Sequence, residues 1–541
     1  MAGALVISAI IANTAMAQSS IELKKVGTYA TGVFDQGGSE IVAHDHKTQR
    51  LFVVNAQAAR IHVVDISNPA SPVALTPIDV TPYGAVANSV DVHDGVVAVA
   101  VQNAVKTDPG KVVFFNTKGQ FLSMVQVGAL PDILAFTSDG DEVLVANEAE
   151  PNDDYTIDPE GSVSIIYLER GARKVTQKNV RTVNFASFNN TTLDPSIRTF
   201  GPKATVAQDI EPEYIAVLDD SKLAWVTLQE NNAIGVLDIK RAKFKKLIGL
   251  GFKDHNAANN GFDASDRDNT INIANWPVKG MYLPDGIAAY EFRDNSYIVT
   301  ANEGDVREYP GFTESARIGS LALDPTAFPN ATALKGNAKL GRLNITKQRG
   351  DADNDGDFDE LYAFGTRSFS IRTANGKLVF DSGDDFERIT AAAFPANFNA
   401  SNTNNTFDNR SDDKGPEPEG VVLGKIGRRT YAFIGLERIS GIMVYDITNP
   451  FDVRFIQYIN TRDFSGDPAA SAAGDLGPEG LIFIKAKHSP NGKPLLVVGN
   501  EISGTTGIYE INRALSKESE EELATAELPK QIMLHQNYPN P

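Results

Sequence analysis

The chain has 541 residues, 42% of them hydrophobic, with 69 acidic against 50 basic side chains for a net charge of −19, and it contains no cysteine. That balance argues against nucleic acid or an anionic membrane as partner, since both need a basic surface, and favours cations or neutral ligands. Lack of cysteine excludes disulfides, thiolate metal sites and a cysteine nucleophile, and the length implies three or four domains unless one repeat architecture absorbs it.

In chain order, an apolar run over residues 4–17 closes on Ala15, Met16 and Ala17 ahead of the polar Gln18, Ser19 and Ser20. This small-residue cleavage pattern reads as a secretory signal over residues 1–17, although the usual Lys or Arg before the run is missing. The run is too short to span a bilayer, and no later stretch is long and apolar enough to do so.

From residue 40 onward one phrase recurs seven times. An acidic residue leads into an apolar strand, a second strand ends in Asn, Gln or Glu, and a third often ends Val-x-Asp-Ile. The leading acids are Glu40, Asp91, Asp132, Glu213, Asp285, Glu419 and Glu479; the second strands are RLFVVN, VVAVAVQN, EVLVANE, KLAWVTLQE, SYIVTANE, RTYAFIGLE and LLVVGNE. Seven short Val- and Ile-rich repeats punctuated by Gly, Asn, Asp and Pro predict an all-β, seven-bladed β-propeller over residues 21–513.

Adjacent strands of a blade run antiparallel, so the residue opening the first and the residue closing the second share one end of the sheet. The leading acids are therefore expected to ring the channel mouth, with Glu148, Glu230, Glu303, Glu437 and Glu501 just outside them. A turn carboxylate can simply accept backbone N–H groups, but so many like charges at close range need cations or arginines. Arg307, Arg367, Arg410 and Arg438 are the candidate arginines.

The loops expected on that face are long: residues 149–161 in the third blade, residues 249–284 between the fourth and fifth, and residues 304–367 within the fifth. Long irregular loops on a rigid scaffold commonly carry function. The last holds Asp351, Asp353, Asp355, Gly356, Asp357 and Asp359, carboxylates at alternate positions around a glycine as in an EF-hand loop, which predicts Ca²⁺. The twelfth position, where a bidentate Glu is expected, is Tyr362, so a remote carboxylate would complete the shell. The DASDRD run, residues 263–268, reads equally as a second cation site or a plain surface loop. Histidines are scattered, and no HExxH, GxSxG or P-loop pattern occurs.

Residues 514–527 read as an acidic linker. Residues 528–541 end in Leu534-His535-Gln536-Asn537-Tyr538-Pro539-Asn540-Pro541, which resembles the opening of the type A sorting domain of the type IX secretion system. Within the repeats, SEIVAHD, NAQAARIHVVDISNPASP, VANEAEP with DPEGSVSII, DASDRD followed by INIANWPVKGMYLPD, TANEGDVREY, DADNDGDFDELYAFGTRSFSI and GPEPEGV resemble the choice-of-anchor I family from about residue 21 to about 513. The resemblance implies a secreted or surface-anchored propeller, similar to a mesenchyme-specific cell-surface glycoprotein and, for some members, to an atypical alkaline phosphatase. The architecture also resembles the calcium-dependent propeller phytases.

Two functions follow. In a Ca²⁺-dependent phosphoesterase, metal held by Asp351, Asp353, Asp355 and the ring would polarise phosphate and activate water. Arg307, Arg367 or Arg438 would clamp phosphate oxygens, with Glu303 or Glu437 as general base. In a non-catalytic surface protein, calcium-stiffened loops would bind protein or glycan through Tyr155, Trp276, Tyr282 and Tyr309.

Overall fold

The computed structural model describes residues 20–514 apart from residue 471; the predicted signal and sorting tail lie outside the described residues. It is a β-propeller. Seven antiparallel sheets follow one another along the chain, opening with the strands Val42–Asp45, Val86–His93, Pro131–Phe136, Ile215–Val217, Ile287–Phe292, Pro418–Ile426 and Pro478–Ile484. We number the sheets 1 to 7 in that order. Each opening strand packs against those of its two neighbours, and the seventh packs against the first, so the opening strands close a ring.

The strands read as continuous apolar runs because both faces of each sheet are buried. Successive residues of a strand point to opposite faces: Phe52 and Val54 pack with Val97, Val99 and Val113 of sheet 2, while Leu51 and Val53 pack with Leu495, Val497 and Ile508 of sheet 7. Each fully buried aliphatic side chain of this kind contributes about 1.5–3 kcal/mol. Phe52→Ala, which would empty space between two sheets, is expected to cost about 3–5 kcal/mol.

Two features were not expected from the repeats. The strand Ser20–Ala30 pairs antiparallel with Thr505–Ala514, from Ser20 opposite Ala514 to Ala30 opposite Thr505, so the start of the described chain supplies the outer strand of sheet 7. The two long insertions are also not irregular. They combine Phe252–Asp254, Lys279–Met281, Tyr362–Phe364, Asn344–Thr346 and Ser315–Arg317 into a five-stranded sheet of their own. Its core includes Phe262, Trp276, Ile318, Leu343 and Ile345. Trp276 and Tyr282, expected as exposed binding aromatics, are 8% and 3% exposed, because each fills a core rather than a surface.

Asp91 needs a second correction. Its strand opens five residues earlier, with Val86 opposite Gln102 and Asp91 opposite Ala98. The carboxylate therefore lies away from the mouth, where it accepts hydrogen bonds from the backbone N–H of Phe136 (2.8 Å) and Val92 (2.7 Å). Asn88 takes the mouth position in sheet 2.

Candidate cation site at the channel mouth

The turn that delivers each ring acid is built the same way in most sheets. Proline precedes the acid at Pro131-Asp132, Pro212-Glu213, Pro284-Asp285, Pro418-Glu419 and Pro478-Glu479. The residue before that proline has positive φ at Leu130 (42°), Leu283 (40°), Glu417 (52°) and Gly477 (69°). Glycine follows the acid in sheets 5, 6 and 7 because adjacent opening strands meet there. A Cβ on Gly286, Gly420 or Gly480 would come within 2.5, 2.0 and 2.6 Å of the backbone oxygen of Glu419, Glu479 and Glu40 respectively. The glycines thus hand each ring acid's backbone on to the next sheet.

The result is a cavity of about 440 Å³ whose lining includes Glu40, Asp132, Glu148, Asp285, Glu419, Glu479 and Glu501. Glu213 is buried beside them, and Glu419 and Glu213 each have a buried carboxylate oxygen without a hydrogen-bond partner. Burial, then the charges of Glu501 and Asp132, pushes Glu40 up to about 9. Burial and Glu150 push Asp132 up to about 7. Burial followed by neighbouring carboxylates raises Glu148, Glu213, Asp285, Glu419 and Glu479 well above the ordinary range. A site that charges only at high pH when empty is one that a cation would charge at neutral pH.

Outside the ring stand two groups of three carboxylates, each with ligand oxygens within 4.8 Å of one another: Glu148, Glu211 and Glu230, and Glu303, Glu417 and Glu437. They are equivalent positions. Glu148 and Glu230 follow the second strands of sheets 3 and 4, as Glu303 and Glu437 do in sheets 5 and 6; Glu211 and Glu417 each precede the Pro-Glu of a ring acid. Sequence reasoning missed Glu211 and Glu417, and the Glu-Pro-Glu spelling at both places was the available signal.

The second group is neutralised by protein cations. Lys414 Nζ lies 2.6 Å from Glu303 and 3.0 Å from Glu417. Arg410 reaches Glu417 at 2.6 Å, and Arg438 reaches Glu417 at 2.9 Å and Glu437 at 2.8 Å. Burial alone would raise Glu417, but Lys414, Arg438 and Arg410 hold it below the usual range. Both Glu303 oxygens are engaged, one by Lys414 and one by the amide of Gln229 at 2.8 Å, which leaves a poor general base. Glu437 accepts from Asn402 at 2.8 Å through one oxygen, and its other oxygen is buried without a partner.

Among the described residues the first group has one ion-paired cation, Arg307, whose guanidinium lies 2.9 Å from Glu211 and is shared with Asp209 at 2.5 Å. Burial pushes Glu230 up to about 7 despite Arg307, and one of its oxygens is buried without a hydrogen bond. Arg307 is held between these acids with a side chain 1% exposed. Arg367 is elsewhere: it donates to Glu387 at 2.5 Å and to backbone oxygens of Asp263, Ser411 and Asp413, in the seam beside the inserted sheet. Of the three arginines expected to clamp phosphate, Arg438 is the most open, at 25% exposure.

The aspartate loop divides. Asp351, Asp353 and Asp355 converge within 4.8 Å, whereas Asp357 and Asp359 converge with Asp324. Gly356 N–H donates to Asp351 at 3.1 Å and Ala352 N–H to Asp359 at 2.8 Å, which curls the run into a compact turn. None of these aspartates lines the mouth cavity, so the loop and the ring do not combine into one centre.

Residues 40–450 match the profile of the choice-of-anchor I domain. Gigasin-3a of Magallana gigas is 30% identical over 191 residues, which cover 33% of this chain and 67% of that protein. The mesenchyme-specific cell surface glycoprotein of Strongylocentrotus purpuratus is 27% identical over 289 residues, 47% of this chain; the chain spans only 36% of that protein's length. Similar solved structures include a hydrazine synthase from Kuenenia stuttgartiensis (TM-score 0.44, 11% identity, 90% of this chain and 99% of that one). A streptogramin B lyase has TM-score 0.43 and 10% identity, covering 91% and 98%. The Cps50 (Swd1) β-propeller domain of Myceliophteria thermophila has TM-score 0.42 and 7% identity, covering 91% and 100%. No helix among the described residues is long and apolar enough to cross a membrane.

Proposed function

Since the chain belongs to the choice-of-anchor I family, we propose that it is a secreted or surface β-propeller whose channel mouth binds divalent cations, calcium foremost. The observation that carries this reading is the group Glu148, Glu211 and Glu230: three carboxylates within 4.8 Å, one arginine between them and a buried, unpartnered oxygen on Glu230. All the donors are oxygens, which suits a hard cation and not a soft one. Once filled, the mouth presents metal to whatever docks on that face. A surface role agrees with the name borne by the sea-urchin relative.

A finer reading is metal-assisted hydrolysis of a phosphate ester. It rests on Arg438, which is partly open, lies beside Glu437 and acts through its charge on Glu501 of the mouth lining, so a guanidinium stands near the cavity that would hold the metal. The metal would supply charge to the phosphate and acidify a bound water. Arg438 would orient the phosphate, and Glu437, which burial holds protonated to higher pH than usual, would exchange the proton.

The test is calcium titration by calorimetry on the chelator-treated chain, beside Glu148→Gln and Glu230→Gln variants. Binding that is lost in both variants supports the cation mouth; wild-type binding in both overturns it. p-Nitrophenyl phosphate and phytate hydrolysis at alkaline pH, with Ca²⁺ and with chelator, then separates the two readings. Turnover that needs Ca²⁺ and falls in Arg438→Gln supports the esterase; no turnover from a calcium-loaded chain leaves the binding face.

A further inference from the structure

The acidity of the chain is not spread evenly. Five of the seven residues 240–246 are basic, Lys240, Arg241, Lys243, Lys245 and Lys246, and no acid falls between Asp238 and Asp254. They form the turn after the third strand of sheet 4, Ala233–Asp238, and the start of its outer strand, Lys243–Gly249. The second strand of that sheet runs toward the mouth from Leu223 to Leu228, with Glu230 beyond it. Leu223, at the far end, is opposite Asp238, which is opposite Lys243. The basic run therefore opens on the face of the propeller away from the mouth.

The backbone aims the run outward. Phe244 is buried between sheets 3 and 4, its ring stacked 4.2 Å from that of Phe185. Val236 pairs with Lys246 and Leu237 with Phe244, so Lys245 is an extra residue, a bulge of the kind that re-aims a side chain. Lys222, Lys240, Arg241 and Lys245 line one cavity of about 590 Å³. Its two acids are already paired, Asp238 with Arg241 at 2.7 Å and Asp220 with Lys222 at 3.0 Å. Lys240, Lys243 and Lys245 are exposed and form no ion pair among the described residues, and a cleft lined by one sign of charge focuses its field on an anion. A second cleft repeats the pattern where Ile426 of sheet 6 turns back to Arg429. Arg428, Arg429 and Arg513 line a cavity of about 270 Å³ there, and among the described residues only Arg429 of the three has an acidic partner, Asp446. The face away from the mouth is thus basic in two places on a chain that is acidic as a whole.

We propose that the cleft of sheet 4 docks an acidic polysaccharide, whose anionic groups meet Lys240, Lys243 and Lys245 beside Arg241. A flat anionic bilayer fits less well. Asp139 and Asp141 are exposed on the adjoining turn of sheet 3, where the Asp139 N–H donates to the Ser221 hydroxyl at 3.4 Å, and with exposed Asp219 they would meet the same bilayer. A peptide would add along the outer strand by main-chain hydrogen bonds, and the bulge at Lys245 interrupts that edge. A polysaccharide needs neither a flat surface nor a regular edge. The cleft shares no residue with the mouth cavity.

The full chain is titrated by calorimetry with dextran sulfate, uncharged dextran, polyglutamate and phosphatidylserine vesicles. Chelator keeps cations out of the mouth, so the outcome does not depend on the cation reading. Dextran sulfate is expected to bind, more weakly as salt rises, and dextran not to bind. Replacing Lys240, Lys243 and Lys245 together by Ser should weaken binding at least about tenfold. Replacing three lysines exposed elsewhere, Lys24, Lys203 and Lys339, should leave it within about twofold of wild type. Equal losses in the two triple variants overturn the site, because the polymer would then answer to net charge alone. So does a chain that ignores dextran sulfate at low ionic strength, or one that prefers polyglutamate or the vesicles at equal charge. Should the cleft variant fail to fold, Asp220→Asn serves: it removes a carboxylate from the cleft, so dextran sulfate should bind about threefold tighter, and unchanged or weaker binding overturns the proposal.

Discussion

Glu148, Glu211 and Glu230 on sheets 3 and 4 occupy the same three positions as Glu303, Glu417 and Glu437 on sheets 5 and 6, yet the two groups are different chemistry. In the second, Lys414, Arg410 and Arg438 supply the positive charge from within the chain. In the first, Arg307 is the one ion-pairing cation among the described residues and is itself shared with Asp209. One scaffold position can therefore be a staple or a cation seat, and neighbouring basic residues decide which. The repeated carboxylate does not.

The sharpest way to break the contrast is Lys414→Met, which leaves Glu303 and Glu417 with less charge than they need. Removing one partner of a buried pair costs about 3–5 kcal/mol; denaturant unfolding in chelator should show that loss, and added Ca²⁺ should recover part of it if charge is what the second group lacks. Next in size is pH. The ordinary value for Glu40 is 4.5 and its value in the folded chain is about 9, while Asp132, Glu230 and Glu501 rise to about 7. Between those limits the folded chain holds protons that the unfolded chain has released, so the metal-free protein should lose stability as pH rises from about 5 to about 9. Thermal melts should show this fall in chelator and a much flatter profile in Ca²⁺; a chelated chain that gains stability over that range would contradict the charge-starved mouth.

Smaller still is Glu230→Gln, which removes a buried charge without changing shape. At pH 8 in chelator it should stabilise the chain by about 1 kcal/mol and abolish the part of the calcium-induced rise in melting temperature that the mouth supplies. The least effect on folding belongs to Asp353→Asn. Asp353 is exposed, so stability in chelator should shift by less than about 0.5 kcal/mol, and any change should appear only as lost Tb³⁺ luminescence from the loop.

Much of this was legible in the sequence. Seven repeats of short apolar strands and their turn residues predicted the propeller, and antiparallel pairing alone placed Glu40, Asp132, Glu213, Asp285, Glu419 and Glu479 at one end. Asp91 went astray because an acid near an apolar run was taken as the strand's opening, when the strand VANSVDVH begins earlier and carries Asn88 at the mouth. What the sequence hid depended on contacts between distant segments. Arg367 looks no different in sequence from Arg438, but one is enclosed by residues 263, 387, 411 and 413 and the other stays partly open beside Glu417 and Glu437. The inserted sheet escaped notice for the same reason: its three-residue strands come from two separate insertions and are too short for any periodicity to declare them.

The outer strand of sheet 7 comes from residues 20–30 and its partner from residues 505–514. The ring is thus sealed by a contact spanning almost the whole described chain, which is among the slowest kinds to form. While a ribosome is still making the middle sheets, sheet 7 does not exist and the first strand has nothing to pair with. A carrier that exports such a chain would find it open and threadable until its last strand emerged, and a protease that removed residues 20–30 afterwards would unclasp the ring without touching any of the carboxylates at its centre.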